Sequence, residues 1–185
     1  PQDAQTHRVK VRGTDLQLAG DRGVFNKGDL DWGTRVLIEN AEVPRGGVLL
    51  DLGCGSGAIA AALATLRPDA TVWAVDVNER AVDVARRTMQ LNGLTNVRVA
   101  LADEVPHELR FDGIWSNPPI RVGKDELHHL LSTWLARLAA AGTADLVVHK
   151  NLGSDSLAKW LTSQGYSVTR AASKQGYRVL RVTRI

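Results

Sequence analysis

Two rhythms of apolar and polar positions alternate along the 185 residues. Short, nearly continuous apolar runs recur at 47–52, 71–76, 96–101, 111–116 and 144–149. They have strand length, and their lack of polar interruption is expected of strands covered on both faces. Between them lie longer stretches with helical spacing, at 56–66, 78–92, 124–140 and 154–164, preceded by a short helix over 32–40. Stop and start signals agree with this division. Arg67-Pro68 ends the helix from 56, Asn78 is placed to cap the next with Glu79 in its first turn, and Asn92-Gly93 stops it. Gly142 is read as the end of the helix from 124, and Ser154 as the cap of the last helix.

Strands in alternation with helices predict an α/β domain with a mostly parallel sheet and helices on both faces. Two further strands, at about 166–173 and 177–184, are parted by Lys174-Gln175-Gly176 and add an antiparallel hairpin at one edge. Val9-Lys10-Val11 and Leu16-Gln17-Leu18, joined through residues 12–15, predict a second hairpin near the N-terminus. The expected organisation is one domain over 1–185, with residues 1–23 as a hairpin extension and 24–185 as the core.

Composition narrows the classes. The single cysteine, Cys54, excludes a disulfide framework and a cysteine-rich zinc site. No apolar run approaches the roughly 20 residues that span a bilayer, and residues 1–5 lack the apolar core of a secretion signal; a cytoplasmic enzyme without membrane association is expected. The net charge of +3 is small, but after Asp155 there is no acidic residue, while Lys159, Arg170, Lys174, Arg178, Arg181 and Arg184 follow. That tail is either a solvated edge hairpin protected by its cations or part of a nucleic-acid footprint.

Two segments carry the candidate chemistry. Val48-Leu49-Leu50-Asp51-Leu52-Gly53-Cys54-Gly55-Ser56-Gly57-Ala58 reads as a buried strand, a carboxylate, a glycine-rich turn and a helix start. Such a turn admits a nucleoside to the backbone and aims free helix N–H groups at it. Taken alone, it also satisfies the relaxed nicotinamide fingerprint, with Asp76 at a suitable distance downstream. Asp51 argues otherwise, because a carboxylate there repels a pyrophosphate but can pair with the ammonium of a methionine tail. Asn117-Pro118-Pro119-Ile120, after the fourth core strand, has no place in that fingerprint. The cofactor indicated is S-adenosylmethionine (AdoMet).

In these two segments, and in ending on an antiparallel strand pair, the chain resembles class I AdoMet-dependent methyltransferases. The resemblance is strongest to the small-domain family that includes ribosomal-RNA small-subunit guanine-N2 methyltransferases. It runs through Val24-Phe25-Asn26-Lys27-Gly28-Asp29-Leu30-Asp31-Trp32-Gly33-Thr34, through Asn117-Pro118-Pro119-Ile120-Arg121-Val122-Gly123-Lys124, and through Gly176-Tyr177-Arg178-Val179-Leu180. It implies a Rossmann-like fold with a seven-stranded, mostly parallel sheet. Family members of this kind with a better-known guanine-N2 activity carry an aromatic where this sequence has Ile120, and often an additional N-terminal domain, which is not expected here.

The resemblance also implies a site. Asp51 and the backbone of Gly53, Cys54, Gly55 and Gly57 hold the methionine moiety, with Gly33 and Thr34 closing that side. Asp76 accepts from both ribose hydroxyls; Val77 and Ala102 wall the adenine; Asp103 accepts from its exocyclic amine. Asn117 and the Pro118 carbonyl receive the two hydrogens of an acceptor amine, Asn117 also bordering the cofactor. Phe25, Pro119, Ile120, Arg121 and Lys124 face the substrate. The same loop serves guanine N2, adenine N6 and protein glutamine amides, and small-molecule amines are a further class. Guanine is the first expectation; the stacking aromatic usual in adenine and glutamine enzymes is replaced here by the apolar wall of Ile120. RNA, ribosomal RNA or a ribosomal subunit, is the expected partner, with a monomeric enzyme and S-adenosylhomocysteine as by-product. A catalytically idle subunit of the same fold is disfavoured by the intact Asp51, glycine turn and Asn117. Cys54 reads as a small loop residue and not a nucleophile, His128-His129 lack further ligands for a metal, and Trp73, Trp115, Trp134 and Trp160 read as core. His149 and Lys150, after the fifth core strand, and Trp32 in the segment with Phe25 are further pocket candidates.

Overall fold

The computed structural model describes residues 5–20 and 30–185. Phe25 and the rest of 21–29 lie outside the described residues. A two-stranded ribbon comes first, β1 (Gln5–Val11) and β2 (Thr14–Gly20). Then follow α1 (Trp32–Asn40), β3 (Val48–Leu52), α2 (Ala58–Leu66), β4 (Thr71–Asp76), α3 (Glu79–Leu91), β5 (Val97–Leu101) and β6 (Phe111–Ser116). The chain closes with α4 (Lys124–Leu135), β7 (Leu138–His149), α5 (Ser154–Ser163), β8 (Tyr166–Lys174) and β9 (Tyr177–Arg184).

The sheet has seven strands in the order β5-β4-β3-β6-β7-β9-β8. β5 through β7 are parallel and β9 pairs antiparallel with both β7 and β8. Successive residues of each central strand enter opposite cores. Leu49, Val72, Trp115 and Val147 join α1, α2 and α3 on one face, while Leu50, Val75, Ile114 and Leu146 join α4 and α5 on the other. This two-sided burial is why the strands read as unbroken apolar runs.

The N-terminal ribbon is docked on α3. Ala19 N donates to Thr88 Oγ1 at 3.0 Å, and Gln17 exchanges two bonds with the Asn92 side chain. Arg12 at its turn donates to the carbonyls of Ile38 and Ala41, orphaned at the end of α1. Among the described residues no helix is long and apolar enough to cross a membrane.

Two sequence expectations need correction. α4 stops at Leu135, not near 140, and β7 begins at Leu138 rather than 144. The alanine-rich stretch favours helix locally. It is drawn into the sheet because Leu138 pairs with Phe111, and Arg184 takes the Ala136 and Leu138 carbonyls. The register then jumps so that Gly113 faces Thr143. Second, the cap of α5 is Gly153, with φ +101°, and Ser154 is its buried first residue. Asn78 does cap α3, accepting from Arg80 N and Ala81 N.

Candidate active site

The site lies at the carboxyl ends of the parallel strands, where chain order reverses between β3 and β6, the place where open α/β sheets bind ligands. Leu52 and Ser116 face each other in the ladder, and Ser116 Oγ donates to the Leu52 carbonyl at 2.8 Å. The glycine turn after β3 and the Asn-Pro-Pro loop after β6 therefore leave the sheet side by side. One step outward, Asp76 pairs with Leu101, which brings Val77 beside Ala102.

The glycine turn is held in a conformation that ordinary residues rarely adopt. Gly53, Gly55 and Gly57 have φ of +76°, +51° and +88°. Gly53 N and Cys54 N both donate to the Val75 carbonyl, and Gly57 N donates to that of Cys54. A Cβ at Gly53 or Gly55 meets nothing within 4 Å, so the turn opens onto free space. One at Gly57 would lie 2.8 Å from Met89 Cε, so this glycine allows α2 and α3 to approach.

A cavity of about 760 Å³ opens beside the turn, walled by Gly53, Asp76, Val77, Ala102, Asn117 and Pro119. Its opposite wall comes from α4, through Glu126, His129, Leu130, Thr133 and Trp134, together with Val122. Asp76 Oδ2 accepts from Gly55 N at 3.1 Å and Oδ1 from Asn78 N at 3.0 Å. Each oxygen keeps a lone pair for a further donor. Asp103 is exposed in the short turn after β5 and does not line this cavity.

Asp51 sits wholly buried beneath the turn. Its Oδ2 accepts from Ala60 N at 3.0 Å, which anchors the first turn of α2, while Oδ1 has no partner among the described residues. Burial, with Asp76 nearby, outweighs the Ala60 bond and raises its carboxyl from 3.8 to about 8. Below that value the folded chain holds a proton that the unfolded chain releases from about pH 4 upward. This group's contribution to stability therefore declines as pH rises between those limits and is level above them. Thermal melting of the ligand-free protein across pH 4–8 is expected to show that decline, and Asp51→Asn to flatten it; parallel curves would remove Asp51 as its source.

Cys54 is buried in the same turn, and burial followed by the charges of Asp51 and Asp76 pushes its thiol well above the ordinary range. A thiol held protonated is a poor nucleophile.

Asn117 stands at the mouth of the cavity. Its Nδ2 donates to Asp31 Oδ2 at 2.9 Å and to Thr34 Oγ1 at 3.1 Å, which leaves Oδ1 as the acceptor the amide can offer. Asp31 also caps α1, accepting from Thr34 N at 3.1 Å. Gly33 lies between them, and a Cβ there would meet Tyr177 Cε1 at 3.0 Å, Asp31 Oδ2 at 3.2 Å and Asn117 Nδ2 at 3.3 Å. Burial, and then the Asp31 carboxylate, raise the Tyr177 hydroxyl above its ordinary value. Tyr177 packs edge-on against His149 with ring centres 4.8 Å apart. Pro118 is buried, Pro119 exposed, Ile120 half-buried, and Arg121 and Lys124 exposed.

Sequence reasoning missed Asp31 as a partner of Asn117, Tyr177 as a side chain of the site, and the α4 wall. Asp31 does carry the local signature of an N-cap three residues before Thr34, but its bond to Asn117 spans 86 residues and depends on the tertiary arrangement. Half of the six cations of the basic tail are engaged. Arg181 bonds bidentately to buried Asp145 at 3.1 Å and also to Glu42, Arg184 holds backbone carbonyls, and Arg170 pairs with Asp155 at 3.4 Å. His128 stacks on Trp160 with centroids 3.8 Å apart. Among the described residues there is no cluster of three His, Cys, Asp or Glu that could hold a metal.

The residues present fit AdoMet: an open glycine turn, an orphaned buried Asp51 oxygen beneath it, a carboxylate at the second strand end and an apolar slot beyond. Comparison with known proteins agrees. The family model for the methyltransferase small domain matches residues 15–181. YbxB, an uncharacterized protein of Bacillus subtilis, is 35% identical over 98% of this chain and 92% of its own length. Ribosomal RNA small subunit methyltransferase C of Shewanella halifaxensis is 37% identical over 74% of this chain but only 41% of its own. A T. thermophilus 16S rRNA N2 methyltransferase, solved with AdoMet and guanosine, superposes on all of this chain and 52% of its own with TM-score 0.81 and 25% identity. This chain thus spans about half or less of the two ribosomal RNA enzymes it matches. With the family model covering nearly its whole length, the chain belongs to the methyltransferase small domain family, whose chemistry draws its methyl group from AdoMet.

Proposed function

We propose that the chain methylates an exocyclic amine of an RNA base, guanine N2 of ribosomal RNA foremost. The observation that carries this reading is the anchored amide of Asn117, its nitrogen held by Asp31 and Thr34, standing beside the cavity that begins at the glycine turn. The lone pair of an aromatic amine is delocalised into its ring and must be freed before attack. Asn117 Oδ1 and the Pro118 carbonyl accept its two hydrogens, which favours a pyramidal nitrogen with its lone pair directed along the transfer path. AdoMet, when bound, supplies the sulfonium methyl and leaves as S-adenosylhomocysteine. As the new N–C bond forms, the amine acidifies and loses one proton to solvent, so no strong base is required of the chain. Its contribution is orientation and fixed dipoles.

In this reading Asp51, Gly33, Thr34 and residues 53–57 shape the methionine end. Asp76 clamps the ribose, Val77 and Ala102 wall the adenine, and Asp103 reaches its amine from the rim. Pro119, Ile120, Arg121 and Lys124 present the acceptor. Support for guanine comes from the ribosomal RNA relatives and from the guanosine bound by the T. thermophilus enzyme. Docking of the N-terminal ribbon on α3 supports treating the chain as one catalytic unit.

The test is incubation with methyl-labelled AdoMet and separate pools of small ribosomal subunits, naked ribosomal RNA, DNA and protein, followed by nucleoside digestion. Labelled N2-methylguanosine from the ribosomal pools is expected; N6-methyladenosine or methylglutamine alone overturns the guanine assignment. In RNA-binding titrations across salt concentration, Arg121→Ala with Lys124→Ala is expected to flatten the slope of log K against log salt by about 0.7–0.9 for each phosphate no longer neutralised; an unchanged slope removes both residues from the RNA contact.

A further inference from the structure

We infer that Asp31 and Thr34 are positioning residues that set the orientation of the Asn117 amide, and with it which of its two ends meets the acceptor. This rests on the reading of Asn117 given above. A terminal amide can turn over by half a rotation, exchanging its donor end for its acceptor end. Only one orientation serves an amine, since an NH₂ pointed at an N–H of the acceptor repels it.

Three features remove that freedom. Two acceptors, Asp31 Oδ2 and Thr34 Oγ1, lie at 2.9 and 3.1 Å from the same nitrogen, so the flipped amide would set its oxygen against a carboxylate. Asp31 is itself fixed, because the same Oδ2 accepts from Thr34 N at the start of α1. Gly33 supplies the space, since any side chain there would enter the gap between Asp31, Asn117 and the Tyr177 ring. The methyl-acceptor loop is thus oriented by a helix cap more than 80 residues away in sequence. Asp31 need not touch cofactor or acceptor to affect the rate.

A charge-exchange cycle separates this role from mere capping of α1. Asn117→Asp sets two carboxylates against one another and is expected to lower kcat about 100-fold. Asp31→Asn, which keeps an oxygen for the cap and for Asn117, is expected to cost less than about threefold. The two together restore a donor–acceptor pair of reversed sense at the expense of the cap bond from Thr34 N, since one oxygen of Asp31 accepts from both in the parent, and kcat is expected to recover at least about tenfold from that of Asn117→Asp. A helix-cap role alone makes the two changes additive, so a double variant no faster than Asn117→Asp overturns the inference.

A second cycle does not depend on that rescue. Asp31→Ala is expected to lower kcat about tenfold with AdoMet affinity unchanged, yet to cost less than about twofold when Asn117 is already alanine; an equal loss in both backgrounds overturns it. Melting temperature and AdoMet affinity of every variant show whether it is folded. The hydrogen bonds can also be read without turnover. The side-chain amide protons of Asn117 are expected to be protected from exchange by NMR, and to lose that protection in the Asp31→Ala, Thr34→Val double variant. Unprotected amide protons in the parent overturn the inference. If instead the amide is protected but Asn117→Ala leaves the rate unchanged, the proposed function fails while the anchoring stands.

Discussion

Asn117→Ala is expected to lower kcat by about 10²–10³ with AdoMet affinity within about twofold of the parent. The magnitude is that of losing one preorganised hydrogen-bonding group that acts chiefly in the transition state. Affinity is spared because the cavity wall of Asp76, Val77 and Ala102, proposed above to take the ribose and adenine, is built on other strands. The fold is spared because the partner Asp31 is exposed to solvent, which replaces the missing donor. Single-turnover kinetics beside calorimetry of AdoMet binding measures both quantities. A variant with parental turnover removes Asn117 from the reaction, and amine methylation with it.

Asp76→Ala is expected to weaken AdoMet by about 2–3 kcal/mol, the range for hydrogen bonds to a charged group, or about 30- to 150-fold in Kd. The loss has two sources. In the proposed site the ribose hydroxyls lose a bidentate acceptor, and the glycine turn loses the bond from Gly55 N to Asp76 Oδ2. Asp76→Asn separates them, since its amide oxygen still receives one of the backbone donors while its charge is gone; an intermediate affinity is expected. Calorimetry decides. Parental affinity in Asp76→Ala, or a preference of the parent for a nicotinamide nucleotide, contradicts the assignment of the turn.

The parts legible in the sequence are those whose cause is local or periodic. Strands buried on both faces announce themselves as apolar runs, so β3, β4 and β6 fall where the pattern places them. The glycine turn is legible because few other residues tolerate its backbone. Asp76 and Ala102 are legible because strand ends in a parallel sheet are set by the same pattern. What stayed hidden depends on partners distant in sequence. Residues 136–141 have every local reason to continue α4, and only Phe111 and Arg184 turn Leu138 into sheet. Arg181 looks like a free cation until Asp145, wholly buried on the neighbouring strand, is placed against it. Asp31 looks like an ordinary cap until tertiary structure brings Asn117 to it.

The facing of Leu52 and Ser116 across the β3–β6 ladder has a consequence for how the reaction distance is maintained. In the proposed reaction, methyl donor and methyl acceptor are presented by two loops whose starting points are locked at the same height by backbone hydrogen bonds. A slip of one residue would carry Asn117 about 3.3 Å along the strand and turn every side chain of β6 to the opposite core. An error of about 1 Å is already enough to cost a transfer reaction dearly. In that reading the gap between the reacting atoms is gauged by the interior of the sheet. The rim, from Ile120 to Lys124, is left free to vary with the molecule being modified without disturbing that spacing.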